Sequence, residues 1–236
     1  AVSTSGAWAT GGNLGTARSA LAGAGTQTAG LAFGGYTPTG PTTNATEQYD
    51  GSVWTAGGNM ASGNPGRGFL AGAGTQTAGL AFGGSPTTNT TEHYDGSAWT
   101  SGGNMGSTRY NLAGAGTQTA GLAFGGKANS TTTNATEHYD GSAWTAGGNM
   151  AAINQTLGGC GTQTSGLGFG GYSNATEHYD GSAWTSGGNM GTTRERLAGA
   201  GTQTAGLGFG GYDGSSSVNA TEHYDGSAWT GGGNMA

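Results

Sequence analysis

An all-β disc of five blades, each a sheet of four antiparallel strands, is the fold this sequence predicts. Internal repetition predicts it first: the string GTQT begins at Gly25, Gly74, Gly116, Gly161 and Gly201, in steps of 49, 42, 45 and 40 residues. Those periods suit a four-stranded propeller blade of about 40 to 50 residues and exceed the about 20 to 35 of many solenoid repeats. Each unit also holds four short segments with strand patterning, separated by turn residues. The expectation is one propeller domain spanning residues 1–236.

The unit that starts at Gly191, GTTRERLAGAGTQTAGLGFGGYDGSSSVNATEHYDGSAWTGGGNM, shows the elements in order. LAGAGT is the first strand, and its small side chains suit backbones that crowd around a propeller axis. AGLGFGG is the second, with Leu207 and Phe209 alternating as a strand requires. ATEHYD is the third; Glu222 and Tyr224 share one face, His223 and Asp225 the other. SAWTGGG is the fourth. The pair Asp225 and Gly226 joins it to the third, a tight-hairpin signal because both central residues of such a turn favour positive φ. The same pair recurs at Asp50, Asp95, Asp140 and Asp180.

Glycine supplies 55 of 236 residues and only 8% are charged, a composition that by itself would suggest disorder. Six Trp, nine Tyr and six Phe on a regular spacing argue for packing instead, since a disordered polar chain has no use for periodic rings. With a formal net charge of −6 there is no basic surface to neutralise a phosphate backbone or an anionic membrane, so neither nucleic acid nor membrane is an expected partner. No apolar run approaches the ~18 residues of a bilayer span, and no basic-then-apolar leader opens the chain. The expectation is a soluble chain, processed or cut from a longer array, because it starts within a repeat and without Met. Cys160 stands where the other repeats carry Ala, as a small core residue rather than a nucleophile.

The repeat resembles the kelch family. The double glycines that end the second strands begin at Gly34, Gly83, Gly125, Gly170 and Gly210. The third-strand tyrosines are Tyr49, Tyr94, Tyr139, Tyr179 and Tyr224, and the fourth-strand tryptophans Trp54, Trp99, Trp144, Trp184 and Trp229. Arg18, Arg67, Arg109 and Arg194 each precede by three residues the Leu that opens a first strand, and Asn154 departs from that pattern. The resemblance covers the whole chain. The copies are more uniform than is usual in that family, and their Gly/Thr/Asn-rich composition is similar to the recently duplicated propeller repeats of phage structural proteins. A virion or extracellular location is the corresponding expectation.

Motifs that elsewhere carry chemistry have simpler explanations here. GAGTQTAG looks like a phosphate-cradling loop, but no GK[ST] and no helix pattern follow, and it occurs five times. His93, His138, His178 and His223 belong to different blades, Gln48 replaces the first of the series, and each nearby Asp is taken by a turn, so no metal site is expected. The kelch-type galactose oxidases carry copper on such a scaffold through a convergent cluster of unlike residues; this chain repeats its titratable groups around the ring and pairs no nucleophile with a base. A non-enzymatic protein without cofactor is expected. The Asn-x-Thr sequons at Asn44, Asn89, Asn134, Asn174 and Asn219 are explained by copying of one loop. Glu47, Glu92, Glu137, Glu177 and Glu222 share a face with the packed Tyr and need partners if buried. By resemblance to kelch proteins, the four arginines are those partners.

Comparison of the five copies locates individuality. GTQT and DGS never change, whereas the links between second and third strands and between blades do. In an up-and-down blade those two variable classes emerge on one surface. In the kelch family that surface binds partners, which is what the resemblance implies here for Arg18, Tyr36, Phe69, Tyr110, Lys127, Gln155, Tyr172, Glu195, Arg196, Tyr212 and Asp213. Tyr and Arg suit this role through large area and directed polar groups. The expected function is recognition of a protein or glycan ligand, as a phage or cell-surface attachment protein needs. The alternative is a purely structural virion or assembly module.

The chain has five copies of the first three strands but six Trp segments, since GAWATGGNL around Trp8 duplicates the segment around Trp229. The expectation is that the Trp8 strand completes the fifth blade and displaces residues 227–236. A displaced outer strand would present an edge for pairing with a second chain, and hence for a dimer.

Overall fold

Hairpins at the GTQT strings start every blade in the computed structural model, which describes residues 7–61, 66–152 and 154–236; they have two-residue loops in blades 1, 2, 4 and 5 and a four-residue loop in blade 3, where Gly116 pairs with Gly121. In the first of them Thr26 pairs with Ala29, leaving Gln27 and Thr28 as the turn. Blade 1 comprises β1 (Ala22–Thr26), β2 (Ala29–Phe33), β3 (Thr46–Tyr49) and β4 (Trp54–Ala56). Blade 2 comprises β5 (Ala71–Thr75), β6 (Ala78–Phe82), β7 (Thr91–Tyr94) and β8 (Trp99–Ser101). Blade 3 is β9 (Ala113–Gly116), β10 (Gly121–Phe124), β13 (Thr136–Tyr139) and β14 (Trp144–Ala146), with a small added hairpin of β11 (Lys127–Ala128) and β12 (Thr131–Thr132). Blade 4 is β15 (Leu157–Thr162), β16 (Ser165–Gly170), β17 (Thr176–Tyr179) and β18 (Trp184–Ser186). Blade 5 is β19 (Ala198–Thr202), β20 (Ala205–Phe209), β21 (Thr221–Tyr224) and β22 (Trp229–Gly231). Every blade is antiparallel with its strands in chain order, and the molecule is a five-bladed β-propeller with no helix among the described residues.

First strands lie innermost: β1 faces β5, β5 faces β9, β9 faces β15 and β15 faces β19. Glycine is what permits this approach. A Cβ on Gly114 would stand 2.6 Å from the Phe82 ring and 3.0 Å from the Gly72 carbonyl oxygen.

The DG turns differ from the two-residue hairpin expected. Tyr49 pairs with Trp54, so the loop has four residues, and only Gly51, not Asp50, takes positive φ. The aspartate acts through its side chain: Asp50 Oδ1 accepts from the Ser52 N–H, the Ser52 hydroxyl and the Val53 N–H at 2.8 to 2.9 Å. That fixes the turn without a second strained residue. All five turns are built this way.

Hydrophobic cores lie between blades, not within them. Leu31 and Phe33 of blade 1 pack with Met60, Leu70, Ala81, Tyr94 and Trp99 on the blade 2 side, and equivalent clusters join blades 2 and 3, 3 and 4, and 4 and 5. Full burial of each such Phe or Leu is worth about 1.5–3 kcal/mol. Polar bonds fix the register of each interface. The Trp99 indole N–H donates to Thr46 Oγ1 of the preceding blade, and Trp144, Trp184 and Trp229 donate to Thr91, Thr136 and Thr176. The Gln of each later GTQT turn reaches back one blade: Gln76 donates to the carbonyls of Gly30 and Tyr49, and Gln118, Gln163 and Gln203 repeat the contact.

The placement of the two terminal Trp segments corrects the expectation about closure. Trp229 is not displaced; it pairs with Tyr224 in β22, so blade 5 supplies its own outer strand. Trp8 belongs to no sheet strand and sits one position further round. Its indole donates to Thr221 Oγ1 at 2.9 Å and its ring lies 5.2 Å from that of Phe209, the contacts every other blade receives from the Trp of the blade that follows. The same segment then reaches blade 1, where the Gly15 N–H donates to Glu47 Oε2 at 2.6 Å.

His93, His138 and His178 bond through Nε2 to the hydroxyls of Tyr139, Tyr179 and Tyr224 in the following blade, and Gln48 takes this role toward Tyr94. Burial holds the three imidazoles below their ordinary pKa. The unfolded chain therefore binds protons first as pH falls, so the stability these residues contribute is complete above pH ~6.5 and is lost progressively below it. Replacing all three by Gln, as blade 1 already does, removes this component. The melting temperature of the triple variant should fall less between pH 7 and pH 5 than that of the parent; parallel declines would show that the imidazoles do not contribute.

Candidate binding face

The two variable loop classes meet at one end of each blade. The loop entering a blade bridges to the loop between that blade's second and third strands: Ser19 to Tyr36, Gly68 to Ser85, Tyr110 to Lys127 and Glu195 to Tyr212. In blade 4 the link is a hydrogen bond from Gln155 Nε2 to the Tyr172 hydroxyl at 3.3 Å. Antiparallel strands place the GTQT and DGS turns at the opposite end.

At the axis this face sinks into a cavity of about 400 Å³. Its rim is built by the residue before each recurring Leu: Ala20, Phe69, Asn111, Thr156 and Arg196, all with φ between 52° and 57°. For a residue with a Cβ this conformation costs roughly 1–2 kcal/mol. A chain of backbone bonds from blade to blade offsets it: Phe69 N–H to Ala20 O, Asn111 to Phe69, Thr156 to Asn111 and Arg196 to Thr156, at 2.7 to 2.9 Å. One backbone position thus presents five unlike groups, a methyl, a phenyl, an amide, a hydroxyl and a guanidinium. Phe69 and Arg196 were expected on this face; Ala20, Asn111 and Thr156 were not singled out, although each stands just before an invariant Leu.

The remaining expected residues divide. Tyr172 is 65% exposed and Phe69 37%, and the Tyr36 and Phe69 rings meet at 5.3 Å. Tyr110, Lys127, Glu195 and Tyr212 are half-buried in their bridges. Gln155 is buried, and Asp213 caps its own turn by accepting from Ser215 and Ser216, which holds its carboxyl down at about 2. Arg18 does not reach the face. Its side chain is fully buried and its charge is spent on Glu47 at 2.8 Å, as are those of Arg67, Arg109 and Arg194 on Glu92, Glu137 and Glu222 at 2.7 Å.

Each of these arginines plugs its own blade beneath the variable loops. Arg109 Nη1 donates to the carbonyls of Gly125 and Ala135, where the second and third strands diverge, and Nη2 donates to Glu137 Oε1. Glu137 Oε2 accepts the Gly106 N–H. Blade 4 is different. Asn154 reproduces only the bond to the double glycine, through Nδ2 to Gly170 O at 2.8 Å. Glu177 is as buried as its counterparts and its Oε2 accepts the Ala151 N–H at 2.7 Å, but among the described residues no cation reaches it. A cavity of about 230 Å³ lies there, lined by Glu177, Asn154, Ala175, Met150 and Tyr172 among others.

Burial pushes the Cys160 thiol up to about 12, which leaves no thiolate for chemistry at neutral pH. Among the described residues no three His, Cys, Asp or Glu side chains converge as metal ligands would. No protein-family model matches the chain, and no curated protein is significantly similar to it.

Removing one plug leaves a buried carboxylate without its cation. Arg109→Ala should destabilise the protein by about 3–5 kcal/mol, read by urea denaturation, and Glu137→Gln in that background should restore part of the loss. A cost under about 1 kcal/mol for Arg109→Ala would show that water solvates Glu137 in place of the guanidinium.

Proposed function

We propose that this protein is a non-enzymatic recognition module of kelch-like repeats that binds a glycan or protein ligand with its variable face, centred on the axial cavity. The observation that carries this reading is the rim of five unlike side chains on one arc of backbone bonds. A cavity of about 400 Å³ is of ligand-binding size, and an aromatic ring beside amide, hydroxyl and guanidinium groups is a set suited to a sugar, whose C–H face stacks on Phe69 while its hydroxyls bond to Asn111, Thr156 and Arg196. Positive φ held at all five rim positions supports a site kept in shape at a cost in stability. Because the five groups differ, the site is asymmetric and binds one ligand per molecule.

An attachment role on a virion or in the extracellular space accords with this. The uniformity of the repeats favours a second reading, a structural module for assembly. A glycan array probed with the protein separates them. Saturable binding is expected, reduced at least tenfold by Phe69→Ala with Arg196→Ala, and abolished when the blade 4 loop YS and the blade 5 loop GTTRER are grafted onto every blade. Binding unaltered by the grafts would refute the assignment to this face, and absence of binding across glycan and cell-surface panels would favour the assembly role.

A further inference from the structure

The cavity of blade 4 lies where the other blades place an arginine head, and its lining includes counterparts of that head's partners. In blade 3 the guanidinium bonds to the double-glycine carbonyl, to the carbonyl of Ala135 and to Glu137. In blade 4 the equivalent groups are the Gly170 carbonyl, now held by Asn154, the carbonyl of Ala175, and Glu177 Oε1, which has no donor among the described residues. A buried carboxylate left this way seeks a cation, and the geometry around it favours a planar fork over a point charge. The opening lies beside Tyr172, which is 65% exposed and accepts a hydrogen bond from Gln155.

We propose that this cavity is a guanidinium-binding site, with Glu177 as counter-ion and Ala175 O as second acceptor. It goes beyond the axial recognition site and uses none of the rim residues. The ligand group is a guanidinium, carried either by a free small molecule or by an arginine side chain of a protein partner.

Thermal shift with millimolar ethylguanidinium tests it, with ethylammonium as the point-charge control. Ethylguanidinium should raise the melting temperature of the parent relative to Asn154→Arg, in which the site is filled from within as in the other blades. Ethylammonium should need at least tenfold higher concentration for the same shift. Glu177→Gln should abolish the response. Asn154→Arg restores the repeat's own pattern and should melt higher than the parent without ligand, which guards against misfolding as an explanation. A tighter response to a Gly-Arg-Gly peptide than to ethylguanidinium identifies a protein side chain as the source; the reverse identifies a small molecule. Equal responses of parent and Asn154→Arg would overturn the proposal.

Between blades 5 and 1 the described residues cover the packing surfaces only in part. Ala198 and Ala200 are exposed and Leu207 and Phe209 only half-buried, whereas the same positions in blade 2 are buried. His223 Nε2 is buried without a partner among the described residues, though each equivalent His bonds a Tyr of the next blade. Trp8 meets blade 5 as the outer strand of a following blade does, and Gly11 lies against the Tyr49 hydroxyl as Gly57 lies against that of Tyr94. The Trp8 segment therefore holds the pose of an outer strand whose three inner strands would stand in the wedge.

We infer that the wedge is a docking site for a three-stranded unit of this same repeat, joined in cis, since its two walls are the two faces that meet at each of the four formed interfaces. Fusing a copy of residues 192–227 after Ala236 tests it. The extended chain should be a protease-resistant monomer that melts higher than the parent, and Trp8→Ala should cancel most of the gain. A fused unit digested away to leave the parent's melting temperature unchanged would overturn the inference, as would a parent chain that is itself a dimer with His223 protected.

Discussion

Packing of one blade's Leu and Phe against the next blade's Gly, Tyr and Trp is the interaction on which the rest of this protein depends. Phe33 is wholly buried only because Trp99 and Gly72 of blade 2 close over it, and the same pair of faces recurs at three further interfaces. A four-stranded blade cannot bury its own apolar face, so stability accumulates interface by interface, as in other repeat proteins. This explains why first strands must be nearly side-chain-free. Any bulk at Gly72 or Gly114 would hold the blades apart and uncover every ring behind them.

Buried polar groups make the interfaces specific. Apolar faces alone would tolerate sliding, but the Trp to Thr, His to Tyr and Gln to carbonyl bonds each have a single register in which they form. Within a blade the Arg and Glu pair does the same work at the point where strands diverge. In blade 4 the network is only partly satisfied, since Asn154 holds the Gly170 carbonyl and the Ala151 N–H holds Glu177 Oε2 but no cation takes the place of the arginine among the described residues, which makes that blade chemically distinct.

The division between the two ends of the disc follows. At the invariant end bonds hold the turns: Gln to the preceding blade in blades 2 to 5, Asp to its own loop in all five. At the other end the Arg plugs form a floor, and loops above it vary without disturbing the cores. The rim is the place where these two regimes meet, because its backbone is fixed by blade-to-blade bonds while its side chains differ from blade to blade.

Much of this was legible in the chain itself. Blade number, strand order and the sharing of a face by Glu and Tyr follow from periodicity, because a repeat of one residue type at one position requires one environment repeated. The Arg and Glu pairing followed from the kelch resemblance and from the cost of a buried charge. Other features needed three dimensions. Gln in GTQT read as a turn residue and proved a staple, because its partner lies in another repeat. The Asp-Gly turn read as a pair of strained residues and proved a side-chain cap. Trp8 and Trp229 are alike in sequence, and which of them lies beside β21 depends on how far the interfaces rotate each blade, a quantity no local pattern encodes. The departure at Asn154 was visible as a letter; that it leaves a carboxylate facing a cavity was decided only by tertiary packing, which alone determines what a missing side chain leaves behind.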